Sequence, residues 1–224
     1  MADPDRRALV VLSGGQDSTT CLYWALQRFA SVSSITFDYG QRHRVEIESA
    51  RRVAEFAGVD NVCLPIDTFT ALGGDALTDT SVEVPDGVET GTALPVTFVP
   101  GRNLIFLTFA AAWAWRRDIG HLVTGVAQTD YSGYPDCREE TIDALAHAIR
   151  LGMESSIVIH TPLMHRSKKE TVELAVQLGA LDAMALTHSC YHGERPPCGR
   201  CAACELRAKG FAEAGVRDPL LEVR

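Results

Sequence analysis

The segment Ser13-Gly14-Gly15-Gln16-Asp17-Ser18-Thr19 follows a short apolar run at 8–12 and precedes Leu22, Leu26 and Phe29 at helical spacing. Two glycines directly after a strand let the backbone turn tightly and present N–H groups. A helix starting near Asp17 adds the positive end of its dipole. Ser13, Ser18 and Thr19 bring hydroxyl donors. Together these make an anion cradle suited to a pyrophosphate. No Gly-Lys-Ser/Thr follows, so the segment is not a Walker A loop, and G-x-G-x-x-G is absent, which excludes the dinucleotide fingerprint.

A second chemistry lies near the end of the chain. Cys190, Cys198, Cys201 and Cys204 place four thiols in fifteen positions, with Gly199 allowing a tight turn between them. Four thiolates suit a closed tetrahedral Zn²⁺ site with a structural role. The C-x₂-C-x₂-C spacing also occurs in iron–sulfur proteins, so spacing alone leaves both open. His188 and His192 are possible substitutes for one cysteine, and Arg200 and Arg207 could offset the thiolate charge. Cys21 and Cys63 read as packing residues, as do Trp113, Trp115, His43 and His160. Cys137 stands in a Gly/Pro loop, where packing is at least as good a reading as chemistry.

The elements that must position these groups alternate. Strands are expected at 8–12, 34–37, 62–66, 121–126 and 157–159. Helices are expected at 17–30, 45–57, 102–115, 140–151 and 169–178. Alternation of this kind predicts an α/β fold, a mostly parallel sheet with helices on both faces. Ligands then bind outside the carboxyl ends of the strands, so the loops at 13–17, 38–42, 127–138 and 162–168 should meet at one rim. Residues 68–100 read as a long excursion or lid. After Leu186 the regularity gives way to the cysteine-bearing tail, so 1–186 is expected to form the main domain and 187–224 a small metal-binding segment.

With 224 residues, 46% of them hydrophobic, the chain can bury a sizeable core, and a net charge of −8 offers no basic footprint for nucleic acid or membrane. No stretch approaches the roughly 20 apolar residues that span a bilayer. Seven cysteines clustered towards one end do not resemble a disulfide framework, and the compartment expected is the reducing cytoplasm.

Ser-Gly-Gly-Gln-Asp-Ser resembles the PP-loop of the N-type ATP pyrophosphatases, which include GMP, NAD and asparagine synthetases and tRNA-thiolation enzymes. Further strings narrow the likeness: Phe37-Asp38-Tyr39-Gly40-Gln41-Arg42-His43, Pro100-Gly101-Arg102-Asn103, Asp130-Tyr131-Ser132-Gly133-Tyr134-Pro135-Asp136-Cys137-Arg138, Thr161-Pro162-Leu163 and Ser189-Cys190-Tyr191. With the cysteine tail they resemble the 7-cyano-7-deazaguanine synthase family of the queuosine pathway, over about residues 8–219.

The resemblance implies an adenine nucleotide alpha hydrolase-like fold. It further implies an ATP-dependent ligase that turns 7-carboxy-7-deazaguanine and ammonia into the nitrile through an adenylated carboxylate and an adenylated amide. ATP would lie against Leu12, Ser13, Gly14, Gly15, Gln16, Asp17, Ser18, Thr19 and Thr20, with Mg²⁺ on its phosphates and Asp17 helping to place it. Tyr131, Tyr134, Asp130 and Asp136, with Gly133, would hold the planar deazapurine. Arg138 or Arg102 would take its carboxylate by a fork of two N–H bonds. Lys168 would neutralise phosphate charge, and Asp17, Lys168 and Arg138 are the candidate catalytic residues. The family also favours Zn²⁺ in the cysteine site and a homodimer. The chain leaves no room for a glutaminase domain, so free ammonia is the expected nitrogen donor.

Overall fold

A computed structural model describes residues 3–88, 94–128 and 133–222. Its centre is a five-stranded sheet built from β1 (Asp3–Val11), β2 (Phe29–Asp38), β3 (Asn61–Pro65), β4 (His121–Val123) and β5 (Val158–His160). The strands lie in the order β3-β2-β1-β4-β5, and every pairing is parallel. Chain order therefore reverses at β1, which has β2 on one side and β4 on the other. The crevice at the carboxyl ends of β1 and β4 is the topological switch point where such sheets bind ligands.

Side-chain alternation along β1 divides the core into two layers. Ala8, Val10 and Leu12 pack on one face with α1 (Gln16–Leu26) and α2 (Val45–Phe56), through Cys21, Leu22, Ala25, Ala50 and Val53. Leu9 points the other way. It joins Ile35, Phe37 and Leu122 against α4 (Arg102–Trp115) and α5 (Glu139–Gly152), where Ala110, Ala111, Ala114 and Ile149 are buried. The predicted parallel sheet with helices on both faces is the fold observed. None of the helices among the described residues is long and apolar enough to cross a membrane.

Two of the boundaries that differ from the periodicity have a clear tertiary cause. The first helix, expected over 17–30, stops at Leu26, and Phe29 already belongs to β2. Phe29 sits among the rings of Trp24, His121 and His160, a tertiary cluster that outweighs its helical spacing. The strand expected over 121–126 ends at Val123, because Gly125 must pass the start of α1. A Cβ at 125 would lie 3.1 Å from the Asp17 carbonyl carbon and the Ser18 nitrogen.

Among its described residues the excursion at 68–100 contains one short helix, α3 (Phe69–Leu72), and these parts are fastened to the body. Arg42 donates to the carbonyls of Asp79 and Val82 at 2.9 and 2.8 Å, and Gly87 N–H donates to Arg200 O at 2.7 Å. Beyond α6 (Lys168–Gln177) and the short α7 (Leu181–Met184), the tail is more regular than its sequence suggests. It carries α8 (Ala202–Ala214), a thirteen-residue helix that packs on α6, with Phe211 joining Val172, Ala175, Ala180 and Met184 in a buried cluster.

The His121 and His160 rings lie edge to edge, with Nδ1 and Nε2 3.0 Å apart. Burial lowers His160 to about 4, and the neighbouring His121 adds to the shift. Between pH about 4 and about 6.5 the unfolded chain therefore binds a proton that the folded chain refuses. Stability should fall as pH drops through that window. Thermal midpoints of the native protein and of His160→Gln, measured across it, should converge towards the acid end; parallel curves would remove His160 as a cause.

Candidate active site

One cavity opens at the carboxyl ends of the strands, and the loops that follow β1, β2 and β4 meet in its wall. After β1 the chain turns at Gly14, whose φ of 89° is a left-handed value that favours glycine. A Cβ there would stand 2.3 Å from Glu46 O and 2.6 Å from Ala50 N, so only glycine lets the turn rest on the α2 backbone. Gly15 caps α1 without a side chain, leaving the first N–H groups of the helix directed at the cavity mouth. Ser13 and Ser18 brace the turn, with their Oγ atoms 3.0 Å apart and Ser13 N–H donating to Ser18 Oγ at 3.2 Å.

Ser13, Gly15, Gln16, Asp17 and Ser18 line the cavity. Leu12, Thr19 and Thr20 are fully buried behind them. Thr19 Oγ1 donates to Gly15 O at 2.8 Å, and Thr20 Oγ1 to Gln16 O at 3.0 Å, so these hydroxyls stiffen the cradle from behind.

Lys168 enters from the far side. Ser167 and Glu170 form a reciprocal capping box, with Glu170 N–H donating to Ser167 Oγ at 3.3 Å and Ser167 N–H to Glu170 Oε2 at 2.7 Å. That cap starts α6 at Lys168, one residue earlier than its periodicity suggests. A lysine at the first helical position opposes the helix dipole. Its Nζ instead donates to Asp17 Oδ2 at 2.6 Å, across 151 residues of chain. Asp17 Oδ1 is buried with no hydrogen-bond partner.

Opposite the glycine turn lies a cationic, aromatic wall. Arg102 at the start of α4 donates to the Tyr39 hydroxyl at 3.2 Å, and its guanidinium stands 5.7 Å from the Tyr39 ring and 6.0 Å from that of Tyr134. Burial works against the Arg102 charge, but the neighbouring tyrosines more than offset it, so the group is held more firmly cationic than usual. Tyr134 is fixed through its hydroxyl to Thr97 Oγ1 at 2.7 Å, which ties the excursion to this wall. Tyr191 faces the same space, and burial raises its hydroxyl well above the ordinary tyrosine value.

The remaining candidates separate. Gly133 and Arg138 are exposed, and neither lines the cavity. Asp136 is buried, its Oδ2 accepts from Asn103 N–H at 3.0 Å in the first turn of α4, and it is not among the residues that line the cavity. Asp130 and Tyr131 lie outside the described residues. His43, which the sequence reads as packing, lines the cavity with Glu46, its Nε2 3.2 Å from Glu46 Oε2; Tyr39, Asn103, Phe106 and Tyr191, given no role by the sequence, line it as well. All but Glu46 and Phe106 stand inside the strings quoted above. Tyr39 and His43 follow the end of β2, a placement legible in sequence; which way any of these side chains turns was not.

The four tail cysteines form one cluster. Their sulfurs all lie within 4.8 Å of one another, and those of Cys198 and Cys204 are 3.9 Å apart. Metal–sulfur bonds of about 2.3 Å in a tetrahedron separate the sulfurs by roughly 3.8 Å, so the group fits a metal ion with little movement. Backbone N–H groups of Cys201, Cys198 and Arg200 donate to cluster sulfurs at 3.3, 3.5 and 3.5 Å, the outer-shell bonds that favour thiolates. A hydrogen bond from Cys204 draws Cys201 down to about 4, and the same contact pushes Cys204 up. One thiolate forms at the next one's expense, a conflict that a divalent cation relieves.

His188 and His192 are not members of the cluster. Arg207 does not offset its charge either. It is buried and holds Asp218 with both ends of its fork at 2.6 and 2.8 Å, and Thr187 Oγ1 at 2.7 Å. Arg200 lies on the surface with Asp86 and Glu194.

Residues 7–215 match the family described as queuosine biosynthesis protein QueC. A protein of Chromobacterium violaceum called 7-cyano-7-deazaguanine synthase is 68% identical over 220 residues, covering 97% of this chain and 94% of its own. One of the same name from Laribacter hongkongensis is 66% identical over 221 residues, covering 99% and 96%. Among solved structures, a 4-thiouridine synthetase in complex with RNA and ATP superposes with a TM-score of 0.51 at 19% identity, over 97% of this chain and 52% of that one. That likeness is one of fold.

Proposed function

The chain belongs to the queuosine biosynthesis protein QueC family, and from that membership we propose that it converts 7-carboxy-7-deazaguanine and ammonia to 7-cyano-7-deazaguanine at the expense of ATP. The observation that carries the reading is the meeting, in one cavity, of a glycine turn built for phosphates with a fixed guanidinium between aromatic rings.

In this reading the segment 12–20 grips the β- and γ-phosphates, leaving the α-phosphorus open to a substrate oxygen. The carboxylate attacks it, pyrophosphate leaves, and ammonia displaces AMP to give the amide with loss of a proton. The amide oxygen is adenylated in turn; a second pyrophosphate and one N–H proton leave to give the adenylated imidate, and departure of AMP with the second N–H proton gives the nitrile. Lys168, positioned by Asp17, offsets the charge that grows on the departing pyrophosphate in both rounds. No covalent bond to the protein is needed.

Arg102 is the arginine proposed for the carboxylate, because it lines the cavity and Arg138 does not. Tyr39, Tyr134 and Tyr191 offer faces and hydroxyls to the planar ring. Mg²⁺ on the phosphates would find a hard ligand in Asp17 Oδ1, the buried oxygen without a partner. Zn²⁺ is the ion proposed for the four cysteines; a closed thiolate site has no open position for chemistry, so its contribution is to hold the tail.

Mass spectrometry of the products from 7-carboxy-7-deazaguanine, ammonia and ATP tests the reaction. Nitrile, AMP and pyrophosphate are expected, and ADP as the sole nucleotide product would overturn it. Arg102→Met should raise KM for the deazapurine by roughly one to two orders of magnitude while shifting KM for ATP far less, as expected for loss of a charged hydrogen bond of about 1.5–3 kcal/mol. The reverse pattern in steady-state kinetics would move Arg102 to the nucleotide.

A further inference from the structure

The catalytic cavity is backed by α8, and one residue of that helix touches Lys168 more closely than any side chain would allow. Gly210 is buried on the face that α8 turns to α6. A Cβ at 210 would lie 2.9 Å from Lys168 Cβ and 3.1 Å from both the carbonyl carbon and the carbonyl oxygen of Lys168. These atoms are main chain or the first side-chain atom, so no rotamer change opens the space. Glycine is also the poorest ordinary residue in a helix interior, and propensity alone argues for alanine at this position.

We propose that Gly210 is a positioning residue for Lys168: its missing side chain lets α8 close on the first turn of α6 at the depth that brings Nζ to Asp17. The helix is well placed to set that depth. Its first turn carries Cys201 and Cys204 of the metal cluster. Its middle is clamped through Arg207 to Asp218 and Thr187. Ala203, Leu206 and Arg207 also form part of the cavity wall, so displacing α8 moves the wall and the lysine together. The metal clip and the phosphate-binding lysine are thereby mechanically linked, although none of the four cluster cysteines lines the substrate cavity.

The proposal rests on the reading of Lys168 as the phosphate-binding lysine, and its test separates the two. Gly210→Ala is compared with Ile149→Val, a core substitution on the opposite face of the sheet that lowers stability without touching α6 or α8. Three quantities are read in each: thermal midpoint, kcat, and the labelling of Lys168 by acetic anhydride relative to Lys169. For Gly210→Ala the expected results are a lowered midpoint, kcat down on the order of tenfold to a hundredfold, and Lys168 labelling raised several-fold. Ile149→Val should lower the midpoint alone.

A Gly210→Ala protein with unchanged kcat and labelling overturns the proposal, as does an Ile149→Val protein that shows the same changes. If Gly210→Ala yields no soluble protein, it is made together with Lys168→Gly, which removes the colliding Cβ. The backbone contacts that remain, at 3.1 Å, need a shift of only a few tenths of an ångström, so recovery of folded protein supports the contact and continued failure counts against it. Labelling and midpoint need no turnover. Native protein that makes no nitrile but gives the labelling response overturns the proposed reaction and leaves the positioning role intact.

Discussion

Lys168→Met is expected to lower kcat by about 10²–10³ while leaving the thermal midpoint unchanged or slightly raised. Preorganised charges aimed at a departing anion contribute about 2.7–4 kcal/mol to the transition state, and Lys168 is the cation that the fold delivers to the mouth of the glycine turn. Stability should not follow activity. The Lys168–Asp17 pair is partly exposed, at 16% and 28%, so its attraction is screened by solvent and its net contribution is small. A cation in the first turn of α6 also opposes the helix dipole, and methionine removes that conflict. Divergence of rate and stability marks a residue kept for chemistry. Single-turnover release of AMP, read beside a thermal scan, checks both halves. Turnover within a few-fold of the native rate would take Lys168 out of the mechanism.

Cys201→Ser should lose the bound metal and a large share of the stability in one step. Structural zinc contributes about 10–16 kcal/mol in isolated peptide sites. Here α8 also packs on α6, and the excursion meets the cysteines through Ala76, Val82 and Val84, so part of the tail stays ordered without metal. Even a third of the peptide value, at roughly 2–4 °C per kcal/mol for a chain of this size, lowers the midpoint by about 10 °C. Cys201 is also the N-cap of α8, so its loss loosens the helix at the end nearest the metal. Elemental analysis together with calorimetry measures the pair of effects. Full metal content in the variant would show that the ligand set is drawn wrongly.

The two variants report on opposite ends of one structural chain. A metal held by the four cysteines would fix the start of α8, the helix backs α6, and α6 presents Lys168 to Asp17. Activity in Cys201→Ser should therefore fall further than its folded fraction, because a loosened α8 no longer sets the depth of Lys168.

Local sequence determined what local forces decide. A glycine pair after an apolar run means a tight turn with free N–H groups. Four cysteines in fifteen positions mean a clustered site. Alternating apolar runs of strand and helix length mean a covered parallel sheet. Each depends on residues within a few positions of one another, and the fold contains all of them.

Tertiary structure decided what depends on distant partners. Periodicity gives no strand order, so the reversal at β1 that makes the crevice came only with the sheet. Arg102 and Arg138 look alike in sequence; the first is turned into the cavity beside Tyr39, and the second lies outside it. Asp136 reads as a substrate contact in sequence; in the fold its Oδ2 accepts from Asn103 N–H and it does not line the cavity. Helix α8 stayed hidden because its buried face is Cys204, Arg207, Gly210 and Phe211, where a clustered thiol, an ion pair and close packing replace the apolar stripe that marks a helix. Those substitutes act only once α6, Asp218 and the other cysteines are in place, so no stretch of chain read alone could show them.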